Sequence, residues 1–264
     1  YGTDGTIWGG EFLIADYKRF ERFCTFRKFR LPGGEQAVKE PERARFSIFY
    51  EIYGKDILKQ GAGIRGQGSE RIANCKLQIA NLKDIFTEAE LAIFLQMLKK
   101  GFNSPFTTSA GRVFDAAASL LGICHKATYE GQGAMMLEAK ADGRTGSSYP
   151  IEVKSHDGGM NIFNWGSMFK SMAEDVRKGI GMTTISQNFH ETLAQLILHV
   201  AKMARQEKGL NTVCLSGGVF QNKVLTERAV CLLKDSGFNV FTHNKLPPND
   251  GGISLGQLIV GGLQ

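Results

Sequence analysis

The spacing of apolar residues predicts two strands near the start of the chain and a mainly helical stretch after them. Bulky apolar and aromatic residues recur with a partial period of two over residues 6–16 and 20–30, which is typical of paired strands. After a Pro-Gly-Gly break, helices are predicted over 35–53, 109–122, 130–140, 166–179 and 184–208. Residues 54–84 are polar and contain glycine, with only weak helical signals.

A capping box marks the start of one more helix. Thr87 and Glu90 have the spacing at which each side chain bonds to the other residue's backbone N–H, and an apolar run ending on Gly101 follows. Pro41 is expected in a first turn or at a kink, because proline lacks the N–H that a helix interior needs. Short strands are predicted at 149–155 and 160–165.

The final part of the chain has the most regular pattern. A short apolar strand at 212–215 leads into a glycine pair, a helix at 222–236, a strand at 239–243, a second glycine pair and a last helix at 253–259. This order predicts a β-α-β unit with parallel strands, and therefore an α/β fold whose binding loops follow the carboxyl ends of the strands. The first helix has an apolar face made of Val224, Leu225, Ala229, Leu232 and Leu233.

Composition narrows the class of protein. The 264 residues are 42% hydrophobic and 22% charged, which is typical of a globular protein and excludes a disordered chain or a coiled coil. No apolar run approaches the roughly 18 residues of a membrane-spanning helix. The net charge is +6, but the basic residues are spread along the sequence. One group (Arg19, Arg22, Arg27, Lys28 and Arg30) is interpreted as the solvated face of a strand, so neither nucleic acid nor a membrane is predicted as a partner.

Cysteine and histidine spacing argues against several kinds of site. The five cysteines are widely spaced without a CxxC pair, which disfavours a disulfide framework or a zinc site and favours a reducing, cytoplasmic location. Each cysteine is interpreted as a small buried apolar residue. The five histidines show neither HxxxH nor HExxH spacing, so the chain does not encode a complete metal site, and no catalytic residue is assigned.

Two glycine pairs carry the first candidate chemistry. Gly217 and Gly218 lie between a strand and a helix, where backbone N–H groups and the helix N-terminus favour phosphate, although a plain tight turn has the same pattern. Asp250 precedes the second pair, Gly251 and Gly252. A carboxylate at that position either ligates a cation or caps the following helix.

Two further segments carry polar groups at predicted helix starts. Ser109, Gly111 and Arg112 suit an anion, or else Ser109 is a helix cap and Arg112 forms a surface pair with Asp115. Glu130 stands beside glycines and is placed either to bind a ribose diol or to complement a helix dipole in a first turn.

Residues 4–11 combine an aromatic residue, paired glycines and acids at a strand. A bulge or a hairpin explains the glycines of DGTIWGGE but not the combination.

The residues of these motifs and their order along the chain resemble one family. From the start of the chain to residue 257 they read DGTIWGGEF, LPGG with EPERA, TTSAGRVFDAAASLLG, YEGQGA, FHETLA, LSGGVFQN and LPPNDGGISLGQ. This resembles the C-terminal, TsaD-like part of HypF carbamoyltransferases more than tRNA threonylcarbamoyl-transfer enzymes or antibiotic O-carbamoyltransferases. The resemblance implies an ASKHA-type lobe (actin, sugar kinase, Hsp70) with a mixed sheet, flanking helices and inserted helices. The expected division is a strand pair with a helical insertion at 1–105 and a nucleotide-binding lobe at 106–264.

The resemblance also implies a reaction. HypF proteins make carbamoyl adenylate from carbamoyl phosphate and ATP, then transfer the carbamoyl group to the C-terminal cysteine of HypE, toward the cyanide ligand of nickel–iron hydrogenase. By motif, the residues implied for the nucleotide are Gly217, Gly218 and Asn222, with Glu130 and Gly131 by the ribose and Ser109, Gly111 and Arg112 at the adenylate or carbamoyl end. Asp250 is implied as a ligand of a divalent metal.

The sequence departs from the family pattern at its start. The HxxxH segment and a first DGTG that the family carries upstream of WGGE do not occur, so we expect a piece of a longer protein that does not make carbamoyl adenylate alone. Two other functions remain open at this point. The chain is either another ASKHA-fold carbamoyltransferase or phosphotransferase, or a non-catalytic lobe that docks HypE.

Overall fold

The computed structural model describes residues 1–54, 85–155 and 159–262, and over these ranges the chain is mixed α/β, as predicted. The strands are shorter than the sequence suggested because turns interrupt the alternating runs. They are β1 (Glu11–Ala15), β2 (Phe20–Phe26), β3 (Phe29–Arg30), β4 (Phe106–Thr107), β5 (Val153–Ser155), β6 (Asn161–Phe163), β7 (Thr212–Leu215) and β8 (Asn239–Thr242).

The largest sheet is mixed and has the order β1-β2-β6-β5. Strands β1 and β2 form an antiparallel hairpin whose register shifts between Phe12 and Leu13, β2 pairs with β6 in parallel, and β6 pairs with β5 antiparallel. Strand β3 pairs with β4 in a small separate sheet. Strands from both sides of residue 105 therefore share both sheets, and the predicted division at that residue stays a prediction.

The helices surround these sheets. They are α1 (Gln36–Lys39), α2 (Pro41–Tyr53), α3 (Glu88–Lys100), α4 (Ala110–Leu120), α5 (Gln132–Glu138), α6 (Gly166–Arg177), α7 (Met182–Lys208), α8 (Lys223–Asp235) and α9 (Ile253–Gly262). The helix predicted over 35–53 divides at Glu40, whose φ of −124° and ψ of 82° are not helical, and Pro41 begins α2. Proline suits this position because the first helical residue needs no N–H partner.

The predicted capping box is confirmed. The Thr87 hydroxyl accepts the Glu90 N–H at 3.2 Å, and Glu90 accepts the Thr87 N–H at 2.8 Å. Helix α3 ends at Gly101, whose φ of 70° lies in the left-handed region that glycine adopts without strain. The weak helical prediction for 54–84 lies almost wholly outside the described residues.

The core is aromatic and joins the small β3-β4 sheet to the helices. Trp165 packs edge-on against Phe29 and Phe169, with ring centroids 5.6 Å and 6.1 Å apart, and all three side chains are fully buried. Phe114 of α4 meets Phe189 of α7 at 4.9 Å. Burial of these aromatic surfaces fixes α4 against α7 and α6 against β3.

The predicted β-α-β unit is confirmed. Strands β7 and β8 are parallel, with Thr212 opposite Asn239. Helix α8 between them buries Leu225, Ala229 and Leu233, while the other predicted face residues, Val224 and Leu232, are partly buried. Loops that leave the carboxyl ends of β7 and β8 therefore emerge on the same side.

The prediction that every cysteine is buried is wrong for two of them. Cys24 and Cys124 are buried, whereas Cys214 on β7 and Cys231 on α8 are exposed, because both elements turn one side away from the core. Cys75 lies outside the described residues. No helix within the described ranges has the length and apolar character needed to cross a membrane.

Candidate functional site

The two predicted glycine loops lie side by side. Residues 217–222, here called the glycine turn, follow β7, and the Gly217 N–H donates to the Pro248 carbonyl at 2.7 Å. Gly217 has a φ of +107°, which a residue with a side chain rarely adopts. A Cβ on Gly217 would meet no heavy atom within 4 Å, and one on Gly218 would meet only far contacts, with the Asn249 Cβ at 3.9 Å. The backbone of the glycine turn therefore borders open space.

The sequence predicted that the N-terminus of α8 would favour an anion, but the structure shows that this helix end is already occupied by side chains of the protein. The Glu138 carboxylate at the end of α5 accepts the Lys223 N–H at 2.6 Å and the Val224 N–H at 3.2 Å. The Asn222 side chain accepts the Leu225 N–H at 2.9 Å. Because the chain's own acceptors already satisfy the first turn, a phosphate at this helix end would compete with Glu138.

A buried histidine that carried no metal or catalytic motif supports the glycine turn. His190 of α7 has its Nδ1 2.8 Å from the Ser186 carbonyl and its Nε2 2.9 Å from the Asn222 amide nitrogen. Ser186 itself donates to the Leu137 carbonyl at 2.6 Å. The FHETLA segment was the available sequence signal, since it belongs to the family pattern, but its contact with Asn222 is visible only in the structure.

Asp250 begins a short 3-10 turn at Asp250–Gly252 and is exposed. The alternative role predicted for Asp250, a helix cap, is wrong. Asn249 is the cap, because its side chain accepts the Gly251 N–H at 3.1 Å. Within the described ranges, no group of three or more His, Cys, Asp and Glu side chains is placed to hold a metal ion.

Ser109, Gly111 and Arg112 lie at the start of α4. Ser109 caps the helix by accepting the Arg112 N–H at 3.4 Å. Arg112 Nη1 lies 2.8 Å from the Asp115 carboxylate, and their side chains are only 9% and 4% exposed. The predicted surface pair is therefore wrong: this is a buried ion pair, because α2 and α5 pack against α4.

Glu130 and Gly131 precede α5. Glu130 is exposed, and Gly131 has a φ of +79° as the residue before the helix. Helix α5 begins at Gln132, so the alternative that placed Glu130 in a helical first turn is wrong. The seven residues of α5, about 10 Å of helix, separate Glu130 from the carboxylate of Glu138 at the glycine turn.

The buried Asp115 couples α4 to the Glu130 loop. Burial raises the pKa of Asp115 to about 6, the Arg112 guanidinium opposes the rise, and the charge of Glu130 adds to it. Gly133 of α5 lies so close that a Cβ there would be 2.8 Å from an Asp115 oxygen. The candidate ribose residue therefore contributes directly to the electrostatics of the buried pair.

The titration of Asp115 tests this coupling. We expect its carboxyl resonance to titrate with a midpoint near 6 in a carbon-13 NMR experiment. Because this pKa exceeds that of the unfolded chain, its contribution to stability is largest below pH 4 and is lost as the pH rises through 6. Glu130→Gln should lower the midpoint, whereas Glu227→Gln on exposed α8 surface should leave it unchanged. A midpoint in the ordinary aspartate range would contradict the assignment.

A buried carboxylate explains why residues 4–11 combine paired glycines with an acid. Glu11 is 7% exposed. It accepts the Gly9 N–H at 2.5 Å and the Gly10 N–H at 2.9 Å, and the Thr108 hydroxyl lies 2.5 Å away. Thr25 also donates to it at 3.1 Å. Glu11 thereby joins the start of the chain to the segment that begins α4, and the sequence did not identify it.

Both glycines are needed for this close approach. A Cβ on Gly10 would lie 2.3 Å from the Thr108 carbonyl oxygen, and one on Gly9 would lie 3.2 Å from the Ser109 Cα. Arg22 of β2 completes the junction with contacts of 3.1 Å to Glu11 and 2.7 Å to Asp4. Its side chain is 12% exposed, so the predicted solvated basic face is wrong for this residue.

Comparison with known proteins identifies relatives over almost the whole length. Residues 1–257 match the family model described as "Carbamoyltransferase, Kae1-like Domain, second subdomain". The chain is 32% identical to carbamoyltransferase HypF of Synechocystis sp., covering 98% of this chain and 32% of that protein. It is 34% identical to a probable carbamoyltransferase HypF of Methanocaldococcus jannaschii, covering 97% and 30%.

The solved structures agree. A crystal structure of full-length HypF in the phosphate- and nucleotide-bound form superposes with a TM-score of 0.86 at 33% identity, covering 99% of this chain and 31% of that one. This match confirms the expected ASKHA-type mixed α/β fold. The chain spans about a third of the length of the relatives it matches.

Proposed function

Because the chain belongs to the HypF carbamoyltransferase family, as its Kae1-like second subdomain, we propose that it forms part of the site that holds carbamoyl adenylate. In the complete reaction, carbamoyl phosphate and ATP supply the adenylate, and the carbamoyl group passes to the C-terminal cysteine of HypE. The product then serves the synthesis of the cyanide ligand of nickel–iron hydrogenase, in the cytoplasm.

The transfer step explains the kind of site required. The HypE thiolate sulfur attacks the carbamoyl carbon, a carbon–sulfur bond forms, and the bond from that carbon to the phosphate oxygen breaks. AMP leaves with the bonding electron pair. Because the nucleophile belongs to the partner, this chain needs groups that bind and orient the adenylate and needs no nucleophile of its own.

The observation that carries the proposal is the glycine turn beside the 247–252 loop. Gly217 and Gly218 present backbone to open space, which allows a phosphate or ribose to approach without meeting a Cβ. A full-length relative that superposes over 99% of this chain has been solved in a phosphate- and nucleotide-bound form, which supports a nucleotide as a ligand of the family. Since Glu138 fills the start of α8, we propose that the nucleotide meets the turn itself.

The other implied residues have narrower roles. We propose that Glu130 and Gly131 lie by the ribose, where the exposed carboxylate is free to accept from hydroxyls. Ser109 and Gly111 are proposed at the adenylate or carbamoyl end. Arg112 would serve there through guanidinium nitrogens other than Nη1, since Nη1 faces Asp115.

The residues described here do not by themselves make a metal site. Asp250 is one exposed carboxylate, and the described ranges bring no second and third donor to it. Asp250 therefore stays a proposed single ligand of a divalent metal.

Gly218→Asp tests the proposed nucleotide site. The added carboxylate would stand where we place a phosphate, so ATP affinity measured by calorimetry with magnesium should fall at least about tenfold through charge repulsion. Gly218→Ala is the matched control, because its Cβ makes only ordinary contacts at 3.9 Å and its φ is not positive.

The outcomes separate the possible functions. ATP binding retained by the alanine variant and lost by the aspartate variant supports the nucleotide site. No binding by the folded wild type would contradict it and would favour a lobe that only docks HypE. Phosphoryl transfer to a sugar would favour a kinase-like relative instead.

A further inference from the structure

His190 is a buried titratable group outside the predicted site residues, with defined surroundings. Its ring is fully buried between Phe114 and Phe189, at centroid distances of 5.6 Å and 5.8 Å. Both ring nitrogens have hydrogen-bond partners, namely the Ser186 carbonyl and the Asn222 amide. A buried ring nitrogen without a partner costs free energy, and both nitrogens of His190 avoid this cost.

These contacts define where the proton lies. The Ser186 carbonyl only accepts, so His190 Nδ1 must carry a hydrogen. The Asn222 oxygen is already engaged by the Leu225 N–H, so its nitrogen faces His190. An amide nitrogen only donates, and therefore Nε2 must be bare. Only the neutral imidazole with hydrogen on Nδ1 satisfies both partners of the ring.

The surrounding charges agree with a neutral ring. Burial lowers the pKa of His190, and the Ser186 carbonyl and the Glu138 carboxylate on α5 oppose this less strongly. The neighbouring Glu191 on α7 is bound to Arg228 on α8 at 2.6 Å and 3.0 Å.

The hydrogen bond between His190 and Asn222 holds the end of the glycine turn. Asn222 is the last residue of the turn and the cap of α8, and its N–H donates to the Val219 carbonyl at 3.1 Å. The other end of the turn is held by the bond from Gly217 to Pro248. Two anchors thus determine the path of the backbone between them.

We infer that His190 is a positioning residue, which sets the shape of the glycine turn for nucleotide by accepting a hydrogen bond from Asn222 as the neutral Nδ1–H imidazole. The inference rests on the proposed nucleotide site. Without the acceptor, the Asn222 amide is buried and unpaired, the turn adopts other shapes, and apparent affinity falls with the fraction of chains that keep the binding shape.

Two substitutions separate the two ring nitrogens. His190→Gln places an amide oxygen near the position of Nε2 and restores the acceptor for Asn222, whereas His190→Asn reaches only as far as Nδ1 and restores the donor to Ser186. We expect ATP affinity within about threefold of wild type for the glutamine variant and at least about tenfold weaker for the asparagine variant. The same pair at exposed His199 of α7 controls for helix propensity.

Asn222→Asp adds a second readout, the pH dependence of ATP affinity, which a purely structural role of His190 would not change. Aspartate still caps α8 but presents an acceptor to the bare Nε2, and protonating His190 repairs that contact. Relative to wild type, the ATP affinity of this variant should rise as the pH falls. In the wild type, a protonated His190 Nε2 and the Asn222 amide would both be donors, so protonation would break this hydrogen bond. Taking the ratio of the two proteins cancels titrations they share, including those of ATP, Asp115, Glu138 and Glu191. The same ratio measured in a His190→Gln background isolates the titration of the introduced carboxylate, and a pH dependence that persists there would overturn the role of His190.

The outcomes distinguish this inference from the proposed function. Equal losses in the two His190 variants, in step with their melting temperatures, would overturn the positioning role while the wild type still binds ATP. A wild type that does not bind ATP would overturn the proposed function and this role together. Nitrogen-15 NMR of His190 tests the bond independently, and a proton on Nε2 at neutral pH would overturn it.

Discussion

Glu11→Ala is expected to lower the free energy of unfolding by about 3–5 kcal/mol, the range for removing one partner of a buried charged pair. The carboxylate is surrounded by donors from Gly9, Gly10, Thr25 and Thr108 and by the Arg22 guanidinium. Alanine would leave the buried donors of Gly10, Thr25 and Thr108 without this acceptor. Chemical denaturation monitored by circular dichroism measures the loss.

Glu21→Ala is the matched control for this loss. Glu21 lies on the neighbouring strand β2 and pairs with Lys208 at 3.2 Å, but its side chain is 55% exposed. Removing an exposed partner should change stability by less than about 1 kcal/mol. Similar losses in both variants would show that Glu11 does not hold the junction as its contacts indicate.

Gly10→Ala is expected to cost about 2–3 kcal/mol, because an added methyl group overlaps backbone that has no room to move. The Cβ would lie 2.3 Å from the Thr108 carbonyl oxygen and 2.8 Å from the Phe26 ring. Relief would require strand β1 to separate from the segment that starts α4. The substitution should therefore also weaken ATP binding if Ser109 and Arg112 serve the site.

Gly256→Ala adds the same methyl group in open space on α9. In a helix interior alanine is favoured over glycine by up to about 1 kcal/mol, so this control should be neutral or stabilising. Thermal melting of both variants compares them. A Gly10→Ala protein as stable as wild type would contradict the close approach.

Local patterns predicted the elements whose signals lie within a few residues. The capping box of Thr87 and Glu90 and the β7-α8-β8 unit were identified this way, because a cap or an apolar face is specified by neighbours along the chain. Pro41 was placed for the same reason. The alternating pattern overestimated strand length, since it continues into residues such as Ile7 and Arg27 that make only isolated backbone bonds beyond the strands.

The candidate site residues were predicted from motifs, and their partners in the structure were not predicted. Glu11 meets Thr108 across 97 positions of sequence, and His190 meets Asn222 across 32. The Arg112 pair with Asp115 was predicted at the surface because spacing alone gives no burial. The sequence predicted that the N-terminus of α8 favours an anion. Only the structure showed that the Glu138 carboxylate already accepts hydrogen bonds there.

The sequence by itself determined the α/β class, most helices and the family resemblance, because these depend on residue type and on spacing over one or two turns. The tertiary structure decided which polar groups remain open to a ligand. Hydrogen bonds are short and directional, so a side chain satisfied by a distant segment is withdrawn from the site whatever its motif predicts. The glycine turn keeps its open backbone because Glu138, His190 and Pro248 engage the groups around it.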